Sequence, residues 1–328
     1  MFDIITFGSV TRDILVIPKK LTTLKYKKSI SPEGQVCFPL GSKIDVNNIE
    51  FYSGGGATNT ATTFSLQGFK TAFCGMVGDD LFGREVIKEL KGLGINTNLV
   101  VKTNRKPTGQ AVIILGDLEK DRTVLVYRGA SELMEKKDIS FKKLKAKWFY
   151  LAPLSGLLRN SFEDIINFTK ENQIKVAVNP GIAQLSLSNF PEIAKKIDIL
   201  ILNQEEASFL TKIPYNQEGK IFRALKEMCP NIILMTKGAD GVLVSDDGNV
   251  YSTKPHPDRI IVDTTGAGDS FASGFVTEFI RTKGDIEKAI QLGMANSEGC
   301  LSQFGAKNGL LKKGKSFRKV EVVKSLIR

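Results

Sequence analysis

The sequence predicts an α/β fold: a mostly parallel central sheet with helices on both faces, plus a small β-sheet lid. Three observations support this. Short β-branched or aromatic runs such as FDIITFG, IKVAVNP and IDILILN alternate with segments of helical spacing. Repeated βα units of that length build a parallel sheet covered on both sides. Two stretches, 14–52 and 97–128, interrupt the alternation with short strand-like pieces and little helix, which suits a flap. At 328 residues, 42% hydrophobic and 25% charged, the chain is expected to form one large domain over 1–328.

Composition also excludes some function classes. The net charge of +11 invites a nucleic-acid reading, but the lysines are scattered over apparent helix faces and aromatics are not interleaved with them. No nucleic-acid partner is expected. A basic protein gains instead by steering anionic small molecules. No apolar run approaches the ~20 residues of a membrane span, and Met1 opens directly into a strand-like FDIITFG. No membrane partner is expected, and the cytoplasm is the expected location. Cys37, Cys74, Cys229 and Cys300 lie far apart without a C-x-x-C pair, as reduced thiols would.

The most informative stretch runs from Ile261 to Phe271, IVDTTGAGDSF. Ile260, Ile261 and Val262 read as a buried strand ending at Asp263. A small-residue turn follows, and helical spacing then places Phe271, Phe275 and Phe279 on one face. A glycine-rich turn feeding a helix leaves backbone N–H groups unpaired and makes an anion site. Asp269 is a carboxylate at that anion-attracting point. It suits a base that takes a proton from an attacking hydroxyl, and the plainer alternative is a helix N-cap. The run Asp263 to Asp269 resembles the second signature of the ribokinase/PfkB family of carbohydrate kinases, roughly D-T-x-G-A-G-D. The resemblance implies a ribokinase-like fold with Asp269 as catalytic base. It also implies that the amides of Gly266, Ala267 and Gly268 form the hole for the transferring phosphoryl group.

The remaining elements follow in chain order. FDIITFG is a first strand, with Asp13 just beyond its turn. It is either a turn cap or, as in the family, a ligand for sugar hydroxyls. Residues 14–52 and 97–128 would together form the lid, with a hairpin turn at Asp117 to Asp121 and a strand end at Arg128. A homodimer, if formed, is expected through this lid. SGGGATNTA opens a helix through about Gln67. Its glycines allow either a tight hinge or close ligand approach, and it resembles the family's first signature at Gly54, Gly55 and Asn59, which implies sugar contacts. Ribose-specific members carry a lysine at the place of Gly56 and a glutamate near Ala152-Pro153, so here the chain departs from the ribose pattern. In GMVGDDLFG, Gly78 and Asp79 read as structural.

WFYLA, a helix near 161–171, IKVAVNP, a helix ending near Lys196 and IDILILN continue the βα alternation. Asn203 and Glu206 then share one helical face, as a cap does. They match the family's N-x-x-E motif, which implies Mg²⁺ held through bound water. Thr236 and Gly238 in TKG match the nucleotide-phosphate position, with Lys237 either adding charge or merely solvated. His256, the sole histidine, reads as a loop residue. In the second helix after the signature, Asn296, Gly299 and Gly305 match positions bordering adenine. Asp263 and Thr265, with backbone carbonyls near Gly305, match where several members hold K⁺ beside the anion hole.

The implied reaction is transfer of the γ-phosphoryl group of ATP to a hydroxymethyl group of a small sugar or sugar-like alcohol, with ATP and Mg²⁺ required. A nucleoside kinase is the rival enzyme, and a non-catalytic sugar- or nucleotide-binding regulator is the rival of another class. No P-loop sequence G-x-x-x-x-G-K-[ST] and no G-x-G-x-x-G follows the first strand.

Overall fold

The structure, a computed structural model, describes residues 1–24, 35–115, 122–246 and 248–326. The expected turn at Asp117 to Asp121 lies outside the described residues. The strands in chain order are β1 (Phe2–Phe7), β2 (Thr11–Pro18), β3 (Thr22–Leu24), β4 (Gln35–Cys37), β5 (Val46–Gly54), β6 (Thr71–Gly78), β7 (Asn96–Thr103), β8 (Gly109–Leu115) and β9 (Arg122–Tyr127). They continue with β10 (Ala146–Leu151), β11 (Lys175–Val178), β12 (Ile199–Asn203), β13 (Ile232–Thr236), β14 (Val242–Ser245), β15 (Asn249–Thr253) and β16 (Val323–Leu326). The helices are α1 (Gly56–Leu66), α2 (Leu81–Gly92), α3 (Phe162–Glu171), α4 (Ile182–Leu185), α5 (Phe190–Ala194), α6 (Gln204–Thr211), α7 (Glu218–Met228), α8 (Ala267–Thr282) and α9 (Ile286–Leu301).

Ten strands form one sheet in the order β16-β15-β14-β13-β12-β11-β10-β1-β6-β7. From β7 to β13 neighbours run parallel, and β14 to β16 add an antiparallel edge. The near-continuous apolar runs of β6 and β12 fit strands covered on both faces. Alternate residues of one strand feed two separate cores. Ile5, Phe149 and Leu200 pack with α3, α5 and α7, whereas Ile4, Tyr150 and Ile199 pack with α1, α2, α8 and α9. The expected helices on both faces are present. Among the described residues no helix is long and apolar enough to cross a membrane.

The small sheet has the order β5-β2-β8-β9, with β2 parallel to β8 and the other pairs antiparallel. Its bounds differ from those expected. It takes in residues 11–13 and 53–54 at the ends of β2 and β5, so Asp13 lies on one of its strands and not on a turn of the large sheet. Residues 97–103 belong to β7, whose pairing with β6 closes the edge of the large sheet. A second correction concerns Ile260 to Val262, which form no strand. Ile260 is 67% exposed, and the amides of Val262 and Asp263 both donate to the Leu301 carbonyl at the end of α9. β-branched residues favour strands only where a sheet edge is there to receive them. Here β14 and β16 already flank β15. The helix expected to end near Lys196 is two short ones, α4 and α5, the second opening with Pro191 in its first turn.

Phe275 is fully buried on α8 and stacks on Phe271 and Phe279 at centroid separations of 6.4 and 6.0 Å. Phe275→Ala should therefore cost ~3–5 kcal/mol of unfolding free energy, read from the urea midpoint. A loss below about 1 kcal/mol would mean that this face is not core.

Candidate active site

The signature loop and the start of α8 form the floor of the site. Gly266 caps α8 in a left-handed conformation (φ 77°), and a Cβ there would also strike Ala306. Only glycine fits. Gly268 is different, because a Cβ there would meet nothing within 4 Å. In the turn ahead of α8 the Ala267 amide donates to the Thr264 carbonyl at 3.4 Å, while amides at the start of a helix, Gly268 among them, have no intrahelical partner. Asp269 lies in the first turn but is not the cap. Its Oδ2 accepts from Asn59 Nδ2 at 2.8 Å, which rules out the plainer reading of a pure N-cap. Burial pushes its carboxyl above the ordinary carboxylate range, against the lowering effect of the Asn59 bond.

Asn59 comes from α1, whose cap Gly55 has φ 96° and sits hard against the Ser9 backbone. The N-termini of α1 and α8 therefore meet at Asp269. A Cβ on Gly56 would lie 3.4 Å from Asp269 Oδ1 and 3.3 Å from Ala152 Cβ. Asn59 Oδ1 is buried with no partner among the described residues. Asp13, 7% exposed, accepts from Thr11 Oγ1 at 2.6 Å, and its Oδ2 occupies the space a Cβ on Gly54 would need. Burial raises its carboxyl too, opposed by the Thr11 bond and by the charges of Lys307 and Arg12.

Asn203 and Glu206 form a reciprocal cap at the start of α6. Asn203 Oδ1 accepts from the Glu206 amide at 2.7 Å, and Glu206 Oε2 accepts from the Asn203 amide at 2.9 Å. Burial raises the Glu206 carboxyl. Tyr150 is fully buried on β10. Its buried hydroxyl has no partner among the described residues, and its pKa is raised by burial and then by the charges of Asp269 and Glu206. Sequence reasoning missed it, because Tyr150 inside WFYLA reads as core. Lys307 was missed as well. Its ammonium is almost buried, donates to Ser53 Oγ and lies 3.5 Å from Glu89.

The expected nucleotide residues separate into two groups. Thr236 ends β13, and Gly238 (φ 56°) would have open space around a Cβ. Beside them is a cavity of about 650 Å³ lined by Lys237, Asp240, Leu243, Lys254, His256 and Lys319 among others. Lys237 is not merely solvated, since it pairs with Glu218 at 2.9 Å. Asn296 is fully buried, bonding Thr63, the Ser270 carbonyl and the Leu311 amide, and is not brought to any surface. A Cβ on Gly299 would strike the Gly309 carbonyl, so this glycine serves packing. Gly305 donates to Asp263 and faces the Tyr52 ring. His256 is no free loop residue: its Nδ1 lies 2.8 Å from Glu298 and its Nε2 3.2 Å from the Lys319 carbonyl.

At the position that would hold K⁺, Asp263 Oδ1 accepts from the Thr265 amide and hydroxyl at 2.9 and 2.7 Å, and Oδ2 accepts from Gly305 at 3.0 Å. Arg122 Nη1 completes the set at 3.6 Å, and the Thr265 carbonyl accepts from the Cys300 thiol. Three hydrogen bonds and the ion pair leave little of this carboxylate for a monovalent ion.

The pfkB family carbohydrate kinase profile matches residues 26–313. The chain belongs to this family. It is 28% identical over 300 residues to a ribokinase of Haemophilus influenzae, covering 88% of this chain and 95% of that one. It is 26% identical over 287 residues to an adenosine kinase of Schizosaccharomyces pombe, covering 81% and 84%. A solved Arabidopsis thaliana ribokinase in complex with ribose and ATP superposes with a TM-score of 0.75 at 22% identity, covering 95% and 96%, which shows the shared fold. This pfkB protein is accordingly a phosphotransferase acting on hydroxyl groups of a sugar or nucleoside.

Because the folded state holds Asp269 with a raised pKa, the stability it contributes is full below the unfolded pKa and is lost as pH rises through the folded one. Asp269→Asn should thus melt no lower than wild type at neutral pH, with the gap narrowing on acidification, while kcat falls by ~10²–10⁴. A clearly lower melting temperature with activity retained would make the carboxylate structural.

Proposed function

We propose that this pfkB kinase moves the γ-phosphoryl group of ATP to a hydroxymethyl group of a small polyhydroxy acceptor, with Asp269 as base. The observation that carries this is the junction at Asp269. A raised carboxyl, an unpaired buried acceptor atom on Asn59 and a second buried carboxylate on Asp13 come from elements that meet around two helix N-termini. Asn59 Oδ1 and Asp13 accept hydrogen bonds from acceptor hydroxyls and hold the reacting one against Asp269. Asp269 takes its proton as the oxygen attacks the γ-phosphorus, and the bond to the ADP oxygen breaks. The amides of 266–268 stabilise charge on the moving group without reorganising, since the turn and helix fix them beforehand. The nucleotide extends toward the Thr236 to Gly238 turn and the cavity beside it. Asn203 and Glu206, whose second carboxylate oxygen is not used in the cap, would hold Mg²⁺ through bound water, and the ion would supply charge neutralisation for the phosphates.

The small sheet is proposed as the lid that excludes water. Its outer strands leave Leu125 58%, Val126 54% and Phe51 50% exposed, an apolar surface suited to a second copy of the chain. A nucleoside acceptor is the second reading. Gly56, Ala152 and Pro153 make the wall beside the base apolar, where the ribose-specific pattern is charged.

The acceptor assignment is tested by kinetics once a panel of ribose, deoxyribose, fructose, 2-keto-3-deoxygluconate and nucleosides has found the acceptor. Asp13→Ala should raise the acceptor KM by ~10- to 150-fold, the loss of a buried charged hydrogen bond, and hardly change that for ATP. Equal effects on both substrates would remove Asp13 from the site. For the metal, Glu206→Gln should raise the Mg²⁺ concentration needed for half-maximal rate while acceptor binding without nucleotide stays constant. An unchanged titration returns this pair to helix capping alone.

A further inference from the structure

Asp263 is 4% exposed and stands three residues before the amides of the anion hole. An uncompensated carboxylate there is costly to bury and repels the phosphoryl group that the next turn must attract. It therefore needs a cation. The structure supplies one from an unexpected direction, the first residue of β9 in the small sheet. Arg122 Nη1 lies 3.6 Å from Asp263 Oδ1 and donates to Thr264 Oγ1. With the Thr265 amide and hydroxyl and the Gly305 amide, the carboxylate accepts three hydrogen bonds beside this ion pair. A carboxylate has about four lone-pair sites, so little remains for a further ligand.

We propose that Arg122 is a positioning residue that serves as the built-in cation of the signature loop, so that this kinase needs no monovalent metal ion. The proposal rests on the kinase reading. A guanidinium keeps its charge at any pH the protein tolerates, and being tethered it cannot dissociate. It also carries geometric information that a free ion lacks. β9 pairs with β8, and β8 pairs with β2 through Asp13 and Ala111, so the sheet that bears the acceptor ligand Asp13 also bears the arginine holding the loop before the anion hole. Seating of the small sheet and alignment of the amides at 266–268 are thus one event.

The test compares wild type, Arg122→Gln and Arg122→Lys in chlorides of potassium, sodium and tetramethylammonium at equal ionic strength. Turnover, melting temperature and thallium(I) binding by ²⁰⁵Tl NMR are measured in each. Wild type should keep kcat/KM within about twofold across the three salts, well under the tenfold that 1.4 kcal/mol represents, and should bind no thallium. Arg122→Gln should lose about tenfold or more in kcat/KM and regain part of it in potassium but not in tetramethylammonium. That rescue is not expected of an arginine that merely braces the fold. Arg122→Lys should lose less and respond less. Several-fold activation of wild type by potassium overturns the proposal, as does an Arg122→Gln variant with unchanged kinetics. Should no acceptor support turnover, the kinase reading fails on its own, and melting and thallium binding of wild type still decide the cation question. A potassium-specific rise in melting temperature would then overturn it. Should Arg122→Gln not fold, the wild-type salt series decides alone.

Discussion

The bond from Asn59 Nδ2 to Asp269 Oδ2 is the interaction on which the rest of the site depends. It joins two helices that start far apart in sequence and holds a carboxylate where two helix N-termini attract anions. Two demands conflict there. A carboxylate proposed as the base must be ionised to accept a proton, yet burial favours its neutral form. A single neutral donor is a compromise, because it orients the carboxylate and partly restores the charged state. A cation in that place would hold the pKa low and weaken the base. The nearest backbone, at Gly56, has no side chain to contribute either charge or bulk.

A second constraint is the attachment of the small sheet to the rest of the molecule. Arg12 lies 3.6 and 3.7 Å from Glu85 and Glu89 on α2, Lys307 reaches Ser53 and Glu89, and Arg122 reaches the signature loop. Partly buried ion pairs of this kind repay their desolvation poorly and are weak evidence for stability. What they supply is direction, since each has one arrangement in which all partners are met. Charged ties of this kind can locate a sheet over a site without merging its apolar faces into the main core.

Much of this was legible in the sequence where residues that act together are also adjacent. The run from Asp263 to Asp269, the glycines before α1 and the Asn203–Glu206 pair are local, and their structural roles follow from turn and helix chemistry alone. The fold class was legible for the same reason, because each βα unit declares itself over a few residues. What sequence could not show depends on contacts between distant segments. Tyr150 sits in an apolar strand, Lys307 in a lysine-rich tail and Arg122 on a lid strand, and nothing nearby in sequence marks their partners. Asn296 looked available and is used up by three internal bonds. Ile260 to Val262 have strand propensity but form no strand, and the amides of Val262 and Asp263 turn to the end of α9. His256 had no partner in sequence because its partners, Glu298 and Lys319, come from α9 and from the segment before β16.

The chain carries 46 Lys and Arg against 35 Asp and Glu, and one group of these cations gathers at a defined place in the structure. Lys237, Lys254, Arg318 and Lys319 all line the cavity beside the Thr236 turn, with Glu218, Asp240 and Glu321 as counter-charges. Arg318 is tied to Asp258 at 3.0 Å, and Lys319 to His256 through its carbonyl, so the basic tail is folded against this rim. A cleft with low-dielectric walls focuses the field of such charges outward. On the proposed reading, a polyphosphate approaching from solvent would be drawn toward the cavity, and the few hydrogen bonds around Asp269 would discriminate among acceptors. The lysine and glutamate of the ribose pattern, missing at Gly56 and Ala152-Pro153, would fall on the proposed acceptor side, away from the charged rim. On the proposed reading, the field of the rim would serve capture of the anionic donor, and the apolar wall with the polar side chains around Asp269 would serve choice of the acceptor.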